Sequence, residues 1–423
     1  MWEVCSATTR PHTMTHRFLP HPVLSGLITL AAVAALGDVR AAEPFIEKTD
    51  LFTADTLGYH IYHIPGIVVT ARGTVLAWCE ARKKGGDWDD IRILLRRSTD
   101  DGKTWGEPNI LAEVDGPITK NPFSLAVKGV NPSDVTYNKP VLIADKDGTV
   151  HGVFCIEYMR CFHTRSTDDG VTWSKPVEIT GAFEDFHKTY AWKVLATGPD
   201  HSIQLKSGRL IVPVWLSTGT GGNAHRPSVT ATIYSDDQGT TWHAGEIAVP
   251  CTDEWINPNE TVAIELADGS VMLNVRSESK AHRRLITTSK DGATNWSTPR
   301  FDDALLEPIC MAGIVRFSTE DSGGKNRILF CNPHNLERAD GKAEPGKTRD
   351  RKNVSVKLSY DEGRTWPVNK SIEPGPSMYS DIAVTKSGTI LCFYGRSGES
   401  KGFGSFAGGR LTVARFNLDW LTQ

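Results

Sequence analysis

Three residues of this chain have side chains suited to acid–base or nucleophilic chemistry, and each stands close to a short run of β-forming residues. They are Asp87, Glu260 and Tyr379. Cationic or titratable side chains stand in similar places at His63, Arg82, Arg160, Arg276, Arg351 and Arg396. An acid, a Glu, a Tyr and several Arg that converge on one opening predict a pocket for an anionic ligand, because guanidinium groups form paired hydrogen bonds with carboxylates. The fold must bring these residues together.

A short motif that returns five times along the chain indicates that fold. Each copy has a Ser, an Asp two residues on, a Gly four on, a Thr six on and a Trp seven on, although the fourth copy has Ala293 and Asn295 in the Gly and Thr positions. The copies are Ser98–Trp105, Ser166–Trp173, Ser235–Trp242, Ser289–Trp296 and Ser359–Trp366. The Asp-x-Gly sequence lets a backbone reverse with positive φ. Each copy, called an Asp box below, is therefore predicted to be a turn between two strands.

Further strand-like runs surround each Asp box, and about four strands per unit is typical of a propeller blade. We predict an all-β fold, a six-bladed β-propeller over residues 43–423 with Asp-box repeats. Five blades contain the motif, and the sixth runs from Tyr379 through the closing sequence RLTVARFNL. The stretch from Phe45 to Phe52 is expected to complete the sixth blade and fasten the ring.

The strand order within a blade decides which residues share a face. Turns after the first and third strands lie on one face, and the starts of first strands and turns after second strands lie on the other. The Asp box is a turn between the third and fourth strands. The candidate residues precede first strands or follow second strands, so we expect them on the face opposite the Asp boxes, around one mouth.

Residues 1–42 have the composition of a secretory signal peptide. Arg10 and Arg17 precede an apolar run over residues 23–37, and small residues follow it. The apolar run is too short to span a bilayer, so we expect a secreted or periplasmic protein with no stable membrane span after removal of the signal. An uncleaved membrane anchor is the alternative. The remainder has 44 basic and 48 acidic residues, a net charge of −4, and nothing in it suggests a nucleic-acid partner.

The cysteine pattern predicts no metal site. Of eight cysteines, seven follow the signal peptide, and no Cys-x-x-Cys pair exists. Cys155 and Cys161 flank a tight turn, and both a disulfide and two buried thiols are consistent with that spacing. No metal or other cofactor is expected.

The motifs around the candidate residues resemble those of the exo-α-sialidases (neuraminidases). The stretch YHIPGIVVTARGTVLAWCEARKKGGDWDD, from Tyr62, is similar to the family's Y-R-I-P start, E-A-R segment and D-W-G-D turn. NETVAIELADGSVMLNVR resembles the family's Glu-bearing strand, and DRKNVSVKLSYDEGRTW and MYSDIAVTKSGTILCFYG resemble its last two blocks. The resemblance covers nearly all of the chain after the signal peptide, with the blocks in order.

The resemblance implies roles for individual residues. Asp87 matches the family's general acid/base, Tyr379 its nucleophile, and Glu260 the base that takes the proton of that Tyr; Asp89 and Asp90 compete for the role of the acid. The resemblance further implies that Arg276 and Arg351 are two of three arginines that clamp the carboxylate of the sugar, with Arg82 near the C4 side. A neutral Tyr avoids the repulsion that a carboxylate nucleophile would meet from the substrate's own carboxylate.

One departure from the family is serious, because His63 stands where the first clamp Arg is expected. A His provides at most two donors and a charge that depends on pH. If His63 binds the carboxylate it must be protonated, so affinity is expected to weaken above about pH 6.5. Arg160 and Arg396, expected at the same mouth, are candidates to supply the missing charge.

The resemblance implies hydrolysis of terminal α-linked sialic acids with retention, through a tyrosyl intermediate. Two alternatives stay open. The first, favoured by His63, is that the substrate is another acidic sugar, such as a related nonulosonate or a uronate. This alternative includes a lyase with Tyr379 and His63 as base and acid. The other is a non-catalytic propeller that binds acidic glycans.

Overall fold

The computed structural model describes residues 13–17, 43–322, 324–397 and 409–423. Residues 42–423 form one compact unit. The predicted signal peptide lies almost entirely outside the described residues. Within the described part of the chain, no helix has the length and apolar character needed to cross a membrane.

Antiparallel strands account for nearly all of the regular structure. The first strand is β1 (Ile46–Thr53), and two four-stranded sheets and one five-stranded sheet follow it along the chain. The first sheet consists of β2 (Ile61–Val69), β3 (Val75–Arg82), β4 (Ile91–Ser98) and β5 (Asn109–Ile110). The second consists of β6 (Tyr137–Ala144), β7 (Val150–Ile156), β8 (Arg160–Ser166) and β9 (Val177–Glu178). The third consists of β10 (Val194–Thr197), β11 (Ile203–Gln204), β12 (Leu210–Ser217), β13 (Ser228–Ser235) and β14 (His243–Val249).

Two further sheets complete the strands. The fourth sheet consists of β15 (Thr261–Glu265), β16 (Val271–Val275), β17 (Arg283–Ser289) and β18 (Arg300–Leu306). The fifth has seven strands, namely β19 (Gly313–Ser318), β20 (Arg327–Pro333), β21 (Lys352–Ser359), β22 (Val368–Val384), β23 (Ile390–Arg396), β24 (Arg410–Phe416) and β1. Short helical segments are Pro122–Leu125, Thr180–Lys188, Glu320–Ser322 and Leu418–Thr422.

The seven-stranded sheet differs from the prediction of six separate blades. Strand β22 is 17 residues long; its first part pairs with β21 as far as Pro376, and its second part pairs with β23 from Ser377 onward. One continuous strand thus joins what were expected to be two sheets. Within residues 43–322, 324–397 and 409–423, the hydrogen bonds define four sheets of four or five strands and one of seven. The fold is all-β and propeller-like, and six separate blades are not found in this part of the chain.

The sheets pack face to face in chain order, and the first also packs against the last. Apolar side chains of β2 and β3, such as Ile67 and Ala77, share a buried cluster with Phe393 and Val413 of the fifth sheet. Strand β1 pairs with β24 in antiparallel register from Ile46 to Thr53. The expected fastening of the end of the chain by an N-terminal strand is confirmed.

The Asp boxes form the predicted turns. In the first copy Asp100 accepts hydrogen bonds from the backbone N–H (2.9 Å) and hydroxyl (2.6 Å) of Thr104, and Ser98 Oγ accepts from the N–H of Gly102 at 3.0 Å. Gly102 has φ +78°, a conformation that needs Gly at this position. The indole N–H of Trp105 donates to the carbonyl of Gly102 at 3.1 Å, which fixes the Trp beneath the turn.

Candidate active site

A cavity of about 630 Å³ lies where the first strands of the sheets begin and the second strands end. His63 and Lys139 come from β2 and β6, the first strands of their sheets, and Tyr379 comes from β22. The volume is within the range of small-molecule sites. Its other titratable lining residues are Arg82, Asp87, Tyr158, His225, Arg226, Glu260, Arg276, Glu278, Asp350, Arg351 and Lys352.

The centre of the site is the hydroxyl group of Tyr379. It donates a hydrogen bond to Glu260 Oε1 at 2.8 Å and accepts one from Arg276 Nη1 at 2.7 Å. Arg276 also forms a very short ion pair with Glu260 Oε2. The guanidinium carbon of Arg351 lies 5.1 Å from the centre of the Tyr379 ring. The phenol is therefore held between a carboxylate and a guanidinium group.

The local backbone explains this convergence. Glu260 immediately precedes β15, and Arg276 immediately follows β16. The two strands form an antiparallel hairpin in which Thr261 lies opposite Val275. The backbone N–H of Arg276 donates to the carbonyl of Glu260 at 3.0 Å, so the two side chains leave the same end of one hairpin. Their separation of sixteen residues in the sequence is the length of that hairpin.

The protonation states follow from the surroundings. Burial raises the pKa of Tyr379 to about 12, although Arg276, Lys139 and Arg351 oppose that shift. Burial also disfavours the Glu260 carboxylate, but Arg276 and Lys139 outweigh it and hold the pKa of Glu260 well below its ordinary value. At neutral pH the site contains a neutral phenol and an ionised carboxylate.

Asp87 lies in the loop after β3, and half of its side chain (51 %) is exposed in the cavity. Arg82 Nη1 donates to Asp87 Oδ1 at 2.9 Å, while the rest of that guanidinium binds Glu80 Oε2 at 2.6 and 3.0 Å. Desolvation raises the pKa of Asp87, but Arg82 and the other nearby cations hold it below its ordinary value. Arg82, which lines the cavity, thus orients Asp87 and favours its ionised form.

The competing acids Asp89 and Asp90 serve the loop instead. Asp89 is buried and accepts hydrogen bonds from the backbone N–H groups of Lys84 and Gly85, the second at 2.7 Å. Asp90 forms ion pairs with Lys83 and Arg92 at 2.5 and 2.8 Å. Of the three acids in this loop, Asp87 alone belongs to the described lining of the cavity.

His63 is in the site but does not have the charge that the sequence suggested. Its ring lies 4.4 Å from the Tyr379 ring, centroid to centroid, at 40°. Burial, together with Arg82, Lys139 and Arg351, places the pKa of His63 well below 6.5. The imidazole is therefore neutral at pH 7 and packs against the nucleophile candidate, which is at odds with a protonated carboxylate ligand.

Arg160 and Arg396 are placed outside the cavity, contrary to expectation. Arg160 begins β8, a third strand, and its guanidinium binds Glu178 on the outer strand β9 at 2.6 and 3.0 Å. Arg396 ends β23 and binds Asp50 at 2.8 and 3.1 Å. Among the described residues, the cavity lining includes neither. Each guanidinium group binds a carboxylate on the outermost strand of its sheet, β9 or β1, and is therefore directed away from the cavity.

Sequence reasoning missed Lys139, which is buried in the cavity wall with its Nζ 2.6 Å from Glu260 Oε1. It also gave no role to Tyr158 and His225, which line the cavity near Asp87. The signal for Lys139 was present, because it stands at the start of a first strand like His63 and Tyr379.

Cys155 and Cys161 face each other across β7 and β8, and both are free thiols. The other cysteines among the described residues are also free thiols.

Comparison with known proteins assigns the chain to a family. Residues 130–392 match the model of the BNR repeat-like domain. The chain belongs to the BNR repeat-like domain family. It is 29% identical over 442 residues to a sialidase of Micromonospora viridifaciens, an alignment that covers 97% of this chain and 60% of the relative. A sialidase of Bacteroides fragilis is 28% identical over 357 residues, covering 79% of this chain and 59% of the relative.

A solved structure supports the fold of this family member. A Hadza microbial sialidase superposes with a TM-score of 0.66 and 24% identity, covering 86% of this chain and 67% of the other. The resemblance to sialidases noted in the sequence is therefore confirmed. The chain spans about three fifths of the length of the two curated relatives.

Proposed function

We propose that this protein is an exo-α-sialidase, a glycoside hydrolase that removes terminal α-linked sialic acids from glycoconjugates. The observation that carries the proposal is the Tyr379 hydroxyl, hydrogen-bonded to Glu260 and Arg276 in a cavity that also contains Asp87. The relatives add support, because both are named sialidases.

The charge of the cavity fits an anionic sugar. Its lining contains six Arg and Lys residues but four Asp and Glu residues, with His63 and Tyr379 neutral. A monoanionic ligand therefore enters a positive site, and Arg276 and Arg351 beside the Tyr379 ring are the groups suited to its carboxylate. A neutral sugar would form no charge-assisted pair with these guanidinium groups.

Before substrate binds, proton transfer from Tyr379 to Glu260 is unfavourable, because the pKa of Tyr379 is about 12 and that of Glu260 is well below its ordinary value. A substrate carboxylate bound to Arg276 weakens the interaction of that guanidinium group with Glu260. The pKa of Glu260 then rises, and Glu260 becomes a stronger base. Glu260 then accepts the phenol proton as the Tyr379 oxygen bonds to the anomeric carbon. The substrate's own charge thus activates the nucleophile.

Asp87 serves as the acid and base at the glycosidic oxygen. Arg82 keeps Asp87 ionised before substrate binds, and a bound anionic sugar raises the pKa of Asp87 by placing a second negative charge nearby. Protonated Asp87 donates to the departing oxygen; the resulting carboxylate then removes a proton from the water that attacks the tyrosyl intermediate. Two displacements at one carbon retain the anomeric configuration.

The test is incubation of the purified protein with aryl and natural α-sialosides, with the first product followed by proton NMR. The α-anomer of free sialic acid is expected first. The β-anomer as first product would mean an inverting enzyme, and an unsaturated product would mean a lyase. Binding of sialosides without turnover, in wild type as in Tyr379→Phe, would identify a glycan-binding propeller.

A second candidate substrate is another acidic sugar, favoured by the neutral His63 in place of a clamp Arg. The wall near Asp87 contains three buried polar atoms, Tyr158 Oη, Trp215 Nε1 and His225 Nε2, which do not distinguish the two substrates. These groups suit a polar substituent of the ligand. Glycosides of a deaminated nonulosonic acid and of a uronic acid belong in the same assay; faster turnover of either would replace sialic acid as the substrate.

We also propose that the seven-stranded sheet acts as two blades, which would make six around the site. Support comes from one apolar cluster that packs the two halves of the sheet together, with Leu329 and Val356 from one half and Ile382 and Phe416 from the other.

Residues 1–42 are proposed to be a signal peptide that directs secretion or export to the periplasm. N-terminal sequencing of the protein recovered outside the cytoplasm should begin near residue 43; an intact leader there would contradict this.

A further inference from the structure

Lys139 is a cavity residue to which neither the sialidase resemblance nor the proposed mechanism gives a role in binding substrate. The resemblance implies three arginines around the substrate carboxylate, and this chain has Arg276 and Arg351 but a neutral His63 as the third. Lys139 brings a cation to the same cavity from the neighbouring sheet. It lies close enough to His63 to contribute to the electrostatic suppression of the imidazolium form.

The local structure shows why Lys139 points into the site. The sequence Tyr137–Pro140 repeats the pattern of Tyr62–Pro65, a Tyr and a Pro separated by two residues. In each segment the strand register shifts, and the residue before the Pro has positive φ, +56° at Ile64 and +53° at Lys139. The same bulge therefore forms in both first strands, and in the second sheet its left-handed residue is a lysine.

The contacts of the ammonium group leave it able to bind a ligand. Nζ donates to Glu260 Oε1 at 2.6 Å and lies 5.8 Å from the centre of the Tyr379 ring. This is the one hydrogen bond recorded for the ammonium group among the described residues, and an ammonium group has three hydrogens to donate. The side chain is 6 % exposed, and its residue lines the cavity. Such a buried cation beside the nucleophile has donors left for an anion.

We propose that Lys139 is a specificity-determining residue that binds the carboxylate of the substrate, in place of the Arg that the chain lacks at His63. The clamp then consists of Arg276, Arg351 and Lys139. The inference rests on the proposed function, since it names the group that recognises the anionic sugar. A lysine places its charge as a point rather than as a planar fork, so the clamp is less selective for carboxylate geometry than three arginines.

The decisive measurement compares two ligands that differ only in charge. The 2,3-unsaturated sialic acid and its 1-carboxamide are titrated calorimetrically into wild type and Lys139→Met, which removes the charge but keeps an unbranched side chain. We expect the carboxylate to lose about 10- to 100-fold in affinity, the usual effect of one charged hydrogen bond. The carboxamide should change by less than about threefold. Equal losses for both ligands would mean that Lys139 merely positions Glu260.

Lys120→Met is the matched control. Lys120 is also 6 % exposed in its side chain and pairs with Glu157 at 2.8 Å, but it lies outside the described cavity lining. It removes a buried lysine from a Lys–Glu pair without touching the site, so both affinities should stay unchanged. Thermal unfolding of all variants checks their folding, and Lys139→Arg, which keeps the charge, should bind both ligands within a few-fold of wild type.

A relocated charge gives an independent result. Adding His63→Arg to Lys139→Met returns a cation to the place where the sialidases have it, and carboxylate affinity should recover by about tenfold or more. No recovery, with the variant folded, would overturn the equivalence of the two positions. Failure of the proposed function is distinct, because then wild type itself would neither cleave sialosides nor prefer the carboxylate ligand to the carboxamide.

Discussion

The Tyr379 hydroxyl has two hydrogen-bond partners, Arg276 and Glu260, which also form an ion pair with each other. That ion pair remains when phenylalanine replaces the tyrosine. Tyr379→Phe should therefore fold normally and bind ligand, while kcat for sialosides falls by about 10³-fold or more. Tyr394→Phe is the control, because Tyr394 is equally buried and its hydroxyl donates to Glu373 at 2.6 Å, away from the cavity. Near-normal turnover in Tyr379→Phe would exclude this residue as nucleophile.

Asp87→Ala should separate substrates by their leaving groups. Natural sialosides need a proton on the departing oxygen and should lose about 10²- to 10⁴-fold in kcat/KM, whereas aryl glycosides with acidic phenols should lose much less in the first step. Asp90→Asn, in the same loop but paired with Lys83 and Arg92, should leave both substrates close to wild type. Equal losses on both substrate classes would argue against Asp87 as the acid.

His63 should not titrate within the working pH range. The pKa of His63 lies well below 6.5, so the neutral form prevails from pH 6.5 to pH 8 and no charge is lost as pH rises between them. We expect the pH dependence of inhibitor Kd over that interval to be the same in wild type and His63→Gln. A fall in affinity above pH 6.5 in wild type alone would restore the protonated His63 that the sequence suggested.

The sequence predicted the residues whose positions depend only on strand order. His63, Glu260, Arg276, Arg351 and Tyr379 come together because first-strand starts and second-strand ends meet at one mouth. The same rule failed for Arg160 and Arg396, since strand order gives the face of a sheet but not the distance from its centre. The ionisation of the site was not predictable either, because it depends on the packing of several cations around buried groups.

At the level of single elements, the Asp box is an acid-sensitive turn. Hydrogen bonds, chiefly from Thr104, lower the pKa of Asp100 to about 2, and those from Thr172 and Thr241 do the same for Asp168 and Asp237. A carboxyl group whose pKa is depressed by folding stabilises the protein above its ordinary pKa near 4. That contribution is lost as pH falls from about 4 to about 2.

Asp100→Ala should lower the free energy of unfolding at pH 7 by about 1–2 kcal/mol, because it leaves the N–H and hydroxyl of Thr104 without their acceptor. Below about pH 2 the variant and wild type should converge, since wild-type Asp100 is then protonated. Asp115→Ala removes an exposed ion pair with Lys175 and should have little effect. Denaturant titrations at pH 7 and pH 2 test this; an equal deficit at both would exclude the carboxylate as the cause.

The degraded fourth Asp box shows how far such elements can be predicted. The motif expected a Gly where Ala293 stands, but Gly292 takes the left-handed conformation at φ +71° and its N–H donates to Ser289 Oγ at 3.1 Å. Thr294 then supplies the bonds to Asp291 one position early. The turn therefore closes one residue sooner. Its chemistry was readable in the sequence, whereas its register was not.

For the whole molecule, the sequence predicted an all-β repeat fold fastened by its N-terminal strand, and the strand pairing agrees. It did not predict that β22 would pair on both of its sides along different parts of its length. Nothing in a local pattern distinguishes one long strand from two short ones joined by a turn when the joining residues are Pro376 and Ser377. The number of separate sheets is thus decided by long-range packing.

At the junction between β1 and β24, one carboxylate adds side-chain contacts to the backbone pairing. Asp50 on β1 binds Arg396 at 2.8 Å, Arg410 at 2.9 Å and Thr412 Oγ1 at 2.6 Å, which joins β1 to β23 and β24. Burial disfavours the ionised form, but Thr412 and the two arginines lower the pKa of Asp50 overall. The carboxylate is therefore charged at neutral pH and holds two cations that would otherwise repel each other at the seam.

Asp50→Asn should loosen this seam without altering the site. We expect the free energy of unfolding to fall by about 1–3 kcal/mol, and amide hydrogen exchange to accelerate first in β1 and β24, because strand release precedes unfolding when the closing contacts are weakest. Asp55→Asn is the control: its carboxylate is largely exposed, and φ +62° suits Asn. Activity at 25 °C should be unchanged in both, since neither residue lines the cavity. Uniform acceleration across all sheets in Asp50→Asn would mean that the molecule opens elsewhere than at this junction.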